Sequence, residues 1–280
     1  MNLSRLKPLV PNIDKLKHEY VTIVGCGALG SVTAELMVRN GIGTIILIDN
    51  DVVEDHNLQR QNYVKDDISQ PKVDRLKRRL VSITDVNVIT VNERLSAANV
   101  HLVSQGLVLD CTDNWYTRKL INRHAQHWVF ASAIKDKGMV QYITKKPCME
   151  CWLSTDSEEH CADVGVYNAT THIIASIQSH LALKVLTKTC DNTLYHVTLP
   201  GTIHKVQTPV KQDCQGCNST PLLPKENLQR ICSNTYKTHV DTLGKSVRTD
   251  HYTMYNDGTV LITAKDKGTA QDILSKILVN

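Results

Sequence analysis

Val21-Thr22-Ile23-Val24 runs directly into Gly25-Cys26-Gly27-Ala28-Leu29-Gly30, and a helix-compatible pattern continues over roughly 30–40. A short β-branched run, a Gly-x-Gly-x-x-Gly turn and then a helix form the context that the dinucleotide fingerprint requires. The glycines permit a tight turn and close backbone approach, and the free N–H groups at the helix start receive phosphate charge. Asp49 closes the next apolar run, Thr44-Ile-Ile-Leu-Ile-Asp49, about twenty residues on, where an acid accepts from ribose hydroxyls. These residues say nucleotide and no more; taken alone they suit a nicotinamide dehydrogenase better, because that use of the pattern is commoner.

Working outward, short apolar runs alternate with longer amphipathic stretches. Val86–Val91, Leu107–Asp110, Trp128–Ala131 and Met139–Ile143 continue the strand series, and helix candidates fall near 71–83 and 115–126. This alternation predicts an α/β fold, a Rossmann-like doubly wound and mainly parallel sheet. Thr171 to Leu186 is apolar around much of its circumference, which predicts a core helix too polar to span a membrane.

Composition narrows the class. The chain has 280 residues, is 41% hydrophobic and 21% charged, and carries a formal charge of +4. That is ordinary for a globular protein, and the dispersed cations lack the one-sided field of a nucleic-acid binder. No apolar run suits a signal peptide or a membrane span, so the expected address is cytoplasmic.

Downstream residues shift the choice of nucleotide. Asp49-Asn-Asp51 is followed by Asn57-Leu-Gln-Arg60-Gln61 and by Gln70-Pro-Lys72 at a helix start. Two fixed cations, Arg60 and Lys72, suit a triphosphate and its departing pyrophosphate, a need that hydride transfer does not have. Asp113, in Leu109-Asp-Cys-Thr-Asp113-Asn114, falls at a strand's C-terminal end, where it could hold Mg²⁺ against phosphate oxygens. Each residue also has a plainer reading: Arg60 and Lys72 as solvated surface cations, Asp113-Asn114 as a helix N-cap. Their joint order favours ATP.

The nine cysteines include two pairs, Cys148-Met-Glu-Cys151 and Cys214-Gln-Gly-Cys217. Four thiolates close a tetrahedral Zn²⁺ shell with no open position, a structural staple. A thioredoxin-like redox role fits two separated pairs less well. Between the pairs lies Glu159-His-Cys161-Ala-Asp-Val-Gly165, where Cys161 reads equally as a nucleophile near a helix start and as an ordinary loop thiol. Cys26 and Cys111 read as small packing residues.

The series Gly25 to Gly30, Asp49-x-Asp51, Asn57 to Gln61, Gln70-Pro-Lys72 and Cys111-Thr-Asp113-Asn114 resembles the ThiF/MoeB/HesA family of E1-like adenylyltransferases over about residues 1–217. The resemblance implies that Asp49 binds ribose, that Asn57, Arg60 and Lys72 hold the phosphates, and that Asp113 serves magnesium and the adenylate. It implies a homodimer in which Arg5 of Ser4-Arg5-Leu6 reaches the neighbouring subunit's ATP site; Leu6 stands where the family has Gln. His160-Cys161-Ala-Asp-Val-Gly-Val166 is similar to the family's Cys-x-x-x-Gly-Val segment, whose cysteine carries a thioester or persulfide in some members and is dispensable in others. The implied reaction is ATP-dependent adenylation of the C-terminal glycine of a ubiquitin-like or sulfur-carrier protein ending in diglycine. Two alternatives stay open: adenylation of a carboxylate on modified tRNA, and a non-catalytic nucleotide-binding subunit of a heterodimer.

The adenylation domain is expected over 1–219. From 220 to 280 the expectation is a small α/β module of helix, strand, hairpin, strand and helix, with Asp257-Gly258 as the hairpin turn. It resembles a module appended to some family members and carries no catalytic grouping.

Overall fold

The computed structural model describes residues 1–10, 12–153, 164–214, 216–217, 229–232, 235–239, 247–249, 251–254, 259–265 and 269–270. Two compact units are distinguished, Met1–Leu95 with Asn99–Ser219, and Ser96–Ala98 with Thr220–Asn280.

In the first unit eight strands form one sheet: β1 (Tyr20–Val24), β2 (Thr44–Ile48), β3 (Asn87–Val91), β4 (Leu107–Asp110), β5 (His127–Ile134), β6 (Lys137–Ile143), β7 (Leu194–Thr198) and β8 (Thr202–Val206). Their order is β3-β2-β1-β4-β5-β6-β7-β8. The first five run parallel and the last three are antiparallel. The strand order therefore reverses between β1 and β4, and the crevice beyond their C-terminal ends is where such sheets take ligands. Apolar runs on β1, β2 and β4 are buried because helices cover the sheet.

Helices α1 (Gly30–Arg39), α2 (Lys72–Val81), α3 (Trp115–His124) and α4 (Asn168–Leu186) fall where the sequence pattern places them. Helix α4 is the expected core helix, with Ile174, Ala175, Leu181 and Ala182 buried in the main cluster. Strands β7 and β8 were not anticipated: β8 is exposed along its whole length, so it shows no apolar alternation to read.

The second unit carries more strands among its described residues than the sequence reading places there. Its described residues form a five-stranded antiparallel sheet from β9 (Gln229–Cys232), β10 (Thr235–His239), β11 (Val247–Arg248), β12 (Tyr252–Met254) and β13 (Thr259–Thr263), ordered β11-β12-β13-β10-β9. β12 and β13 pair antiparallel as the hairpin reading requires, with Val260 and Ile262 buried. The Asp257-Gly258 turn itself lies outside the described residues. The expected helices lie outside the described residues except at 269–270, and Thr235–His239 adds a strand with no long apolar run to mark it.

Candidate active site

The glycine loop is held from three sides. Gly25 N–H donates to Ile48 O at 2.9 Å, and Cys111 N–H donates to Val24 O at 2.9 Å, so the turns after β1, β2 and β4 meet. Gly25 has φ +90°, and a Cβ there would stand 2.8 Å from Cys111 O. A Cβ on Gly30 would come within 1.8 Å of Gly25 O, so helix α1 starts this close to the loop only with glycine. Gly27 is different. Its Cβ position meets nothing nearer than Gln61 Nε2 at 3.8 Å, which leaves a cradle open above the helix start.

Asp49 closes the loop electrostatically. Its carboxylate accepts from Cys26 N–H at 2.6 Å and from Asp51 N–H at 2.8 Å. Burial pushes its carboxyl above the ordinary value, against the pull of those two N–H groups and of Lys72. A carboxylate has about four acceptor positions, so two remain for hydroxyl donors. Tyr63, which the sequence reading missed, donates its hydroxyl to Cys26 O at 2.7 Å and approaches Lys72 O at 3.4 Å.

The anticipated cations stand beside this loop in different states. Lys72 opens helix α2, and its Nζ lies 2.8 Å from Asp51 Oδ2 with the lysine side chain only 9% exposed. Arg60 is half-buried and donates to His56 O at 3.1 Å; among the described residues no carboxylate pairs with it. Asn57 is buried, and its Oδ1 accepts from Glu54 N–H at 3.0 Å, which fixes the turn carrying Arg60 and Gln61. Gln61 is buried, yet among the described residues its Oε1 has no hydrogen-bond partner. A buried acceptor beside an open glycine cradle is a group that a hydroxyl or N–H donor of a bound nucleotide could satisfy.

Across the crevice, Asp110 is fully buried and accepts from the Thr112 hydroxyl at 2.7 Å and the Thr112 N–H at 3.0 Å. Arg118 lies 3.3 Å from its other oxygen, donates to Thr112 O and Ala131 O, and covers the Phe130 ring. Burial raises the Asp110 carboxyl in spite of Arg118 and Thr112. Thr112 and its neighbours are thereby fixed while Asp113 is exposed, with no hydrogen bond or ion pair among the described residues. Asn114 instead caps helix α3, its Oδ1 accepting from Thr117 N–H at 3.0 Å. The helix-cap reading of the Asp-Asn pair therefore falls on Asn114, and Asp113 stands exposed beside it.

Gln178, on α4, was also invisible to sequence reasoning. Its Nε2 donates to Asp110 O at 2.8 Å and Val129 O at 3.0 Å, while its Oε1 accepts from Thr33 at 2.9 Å and Cys111 Sγ at 3.2 Å. One buried amide therefore ties β4, β5 and α1 together. Cys26 and Cys111 are buried, as packing residues should be.

Arg5 lies elsewhere. It is exposed, in a segment whose Leu3, Leu6 and Val10 pack on Ile13, Leu16 and Leu183. Leu3 abuts Gly41, beyond the C-terminal end of α1 and one helix length, about 15 Å, from the glycine loop. Cys161 falls outside the described residues.

The four knuckle cysteines converge. The Sγ atoms of Cys148, Cys151, Cys214 and Cys217 all lie within 4.8 Å of one another. Cys148 and Cys214 are 3.5 Å apart, Cys151 and Cys217 3.4 Å, Cys148 and Cys151 4.0 Å. A tetrahedron with Zn–S bonds near 2.3 Å has edges of about 3.8 Å, so the donor set fits zinc.

Residues 6–219 match the ThiF family. The chain belongs to that family. Among ThiF-family relatives, the sulfur carrier protein ThiS adenylyltransferase of Bacillus subtilis is 32% identical over 62% of this chain and 56% of its own length. The molybdopterin-synthase adenylyltransferase of Escherichia coli is 32% identical over 62% of this chain and 75% of its own. The SAMP-activating enzyme E1 of Haloferax volcanii is 29% identical over 72% of this chain and 82% of its own. The first of these thus extends well beyond the region it shares with this ThiF-family chain. In fold the chain is similar to crystal structures of E. coli MccB, for example that with MccA-N7isoASN, at a TM-score of 0.65 and 21% identity over 73% of this chain and 69% of the other.

Proposed function

We propose that the protein is an adenylyltransferase that uses ATP and Mg²⁺ to activate the C-terminal carboxylate of a small ubiquitin-like or sulfur-carrier protein ending in diglycine. The carrying observation is the set of groups on the turns around the glycine loop: buried Lys72, half-buried Arg60 with no carboxylate partner among the described residues, Gln61 with its unpaired Oε1 and exposed Asp113. The names of the curated relatives point to the same chemistry.

In this reading the N–H groups at the start of α1 receive phosphate oxygens and Asp49 takes a ribose hydroxyl. Arg60 and Lys72, with Asn57 beside them, neutralise the β- and γ-phosphates. The carrier's carboxylate oxygen attacks the α-phosphorus, the bond to the bridging oxygen breaks, and acyl-adenylate and pyrophosphate form. No protein base is required, because the nucleophile is already an anion; catalysis is positioning and charge stabilisation. Asp113 is the residue that would hold Mg²⁺, which supplies further charge neutralisation when bound. Cys161 would act afterwards as acyl or sulfur acceptor, and Arg5 would serve the site of a second copy in a homodimer. The four-cysteine cluster holds structural zinc, the 1–219 and 220–280 segments act as adenylation domain and appended module, and the setting is cytoplasmic. Among the described residues no helix is long and apolar enough to cross a membrane.

The test is ATP–pyrophosphate exchange with candidate carriers. Exchange that depends on a diglycine-tailed protein, falls by about 10²-fold or more in Asp113→Ala and persists in Cys161→Ala supports the proposal. Exchange dependent on tRNA, or none with any carrier, overturns it.

A further inference from the structure

The four-cysteine cluster and the Asp113 loop lie at opposite ends of helix α3, and both ends are clasped. At the first end Asn114 caps the helix immediately after Asp113. At the other, Asn122 accepts from Met149 N–H at 2.9 Å and donates to Glu150 Oε1 at 3.0 Å, inside the Cys148–Cys151 knuckle. Arg123 grips the same carboxylate, with Nε 3.2 Å from Oε1 and Nη2 3.1 Å from Oε2. Side-chain exposures of 7% for Arg123 and 12% for Glu150 make this a largely desolvated, two-pronged contact.

The second knuckle closes on that contact. A Cβ on Gly216 would stand 2.7 Å from both Asn122 Nδ2 and Glu150 Oε1, and 2.9 Å from Cys148 Sγ. Gly216 therefore lies flush against the clasp, where no side chain would fit without displacing it. A second line of contact runs beside the helix: Trp152, next to Cys151, meets Phe130 edge-on at 5.5 Å. Arg118 covers that ring at 5.0 Å and donates to Thr112 O, one residue before Asp113.

We propose that helix α3 couples the cysteine cluster to the nucleotide site, with Glu150 and Asn122 as positioning residues that set the Thr112–Asp113 loop from about 15 Å away. Cys148, Cys151, Cys214 and Cys217 would hold the metal, which would tie the two knuckles together; the first knuckle carries Glu150, and Glu150 fixes the C-terminal end of the helix whose other end follows Asp113. Partners of this kind orient metal ligands, and their loss typically costs about 10- to 100-fold in metal affinity. Here the same partners have a second load. The inference rests on the reading of Asp113 as the magnesium ligand.

The experiment uses the full chain in its zinc-loaded form and measures two quantities: the rate of zinc transfer to a chromophoric chelator, and ATP affinity with and without Mg²⁺ by calorimetry. In the parent protein Mg²⁺ is expected to tighten ATP binding, and Asp113→Ala to remove that increment; if either fails, the magnesium reading itself falls, and this arm alone identifies that failure. Given both, Glu150→Ala is expected to speed zinc transfer about tenfold and to weaken Mg²⁺-dependent ATP binding at least about fivefold, with Mg²⁺-free affinity unchanged. Glu150→Gln, which still accepts from Asn122, is expected to fall between parent and alanine on both readouts and serves if the alanine variant does not fold. Faster zinc transfer with parental Mg²⁺-dependent binding overturns the coupling. So does a parallel loss of both ATP affinities, which is general loosening.

Discussion

Lys72 Nζ stands 2.8 Å from Asp51 Oδ2, and the two partners differ in exposure, 9% for the lysine side chain and 59% for the aspartate. The cation is held by the protein while its counter-charge faces solvent, so an arriving phosphate competes with a well-hydrated carboxylate and not with a buried one. Lys72→Met is expected to lower pyrophosphate exchange by about 10²- to 10³-fold while shifting the unfolding midpoint little, because the methionine fills the buried stem's place and the carboxylate left behind, Asp51, is exposed to water. Steady-state exchange and thermal unfolding on one preparation check this. A large fall in midpoint would contradict it.

Gln178 makes four hydrogen bonds to groups on three elements. Gln178→Leu keeps the approximate volume but leaves the Asp110 and Val129 carbonyls and the Thr33 hydroxyl without these bonds. At about 1–3 kcal/mol for each stranded buried group, a loss of roughly 3 kcal/mol or more is expected in urea unfolding. A loss under about 1 kcal/mol would show that water takes over the bonds.

Gly216 is caught between Asn122, Glu150 and Cys148. Gly216→Ala forces those groups apart and is expected to cost about 1–3 kcal/mol and to lower zinc retention during dialysis. Full zinc content with parental stability would mean that the knuckle accommodates the methyl group.

Glu35 bridges helices α1 and α2, 2.7 Å from Arg79 Nε and 2.8 Å from Arg39 Nη2. Burial pushes its carboxyl up, but the two arginines outweigh burial and hold it below the ordinary glutamate value. A depressed folded value means that the contribution to stability is complete above the unfolded carboxylate pKa of about 4.3 and is lost as pH falls through the folded one. Parent and Glu35→Gln are therefore expected to differ most near neutrality and to converge as pH falls through the depressed folded value. Urea midpoints across pH 3 to 7 decide it; a gap that widens in acid would reverse the sign.

How much was legible depends on which physical signal each element carries. The glycine loop, Asp49, Lys72 and the four cysteines announce themselves because residue type and spacing are the chemistry: a Cβ on Gly30 would stand 1.8 Å from Gly25 O, and two Cys-x-x-Cys pairs supply the four donors of a closed tetrahedral shell. Tyr63 and Gln178 were silent, since a single residue gives no period and their hydrogen-bond partners lie far along the chain. Asn114 shows the limit from the other side: the same two letters that suggest a ligand pair also cap a helix, and spacing cannot divide the roles. β8 escaped because an edge strand exposed throughout has no buried face to write into its sequence.

The closed state of the glycine loop has a thermodynamic consequence. Asp49 and Tyr63 already fasten Cys26 from both of its backbone groups, so the segment that meets the phosphates is immobilised before any nucleotide arrives. Little conformational entropy is left to be lost on association, and the free energy of phosphate contact is available for holding the transition state instead of for ordering a loop.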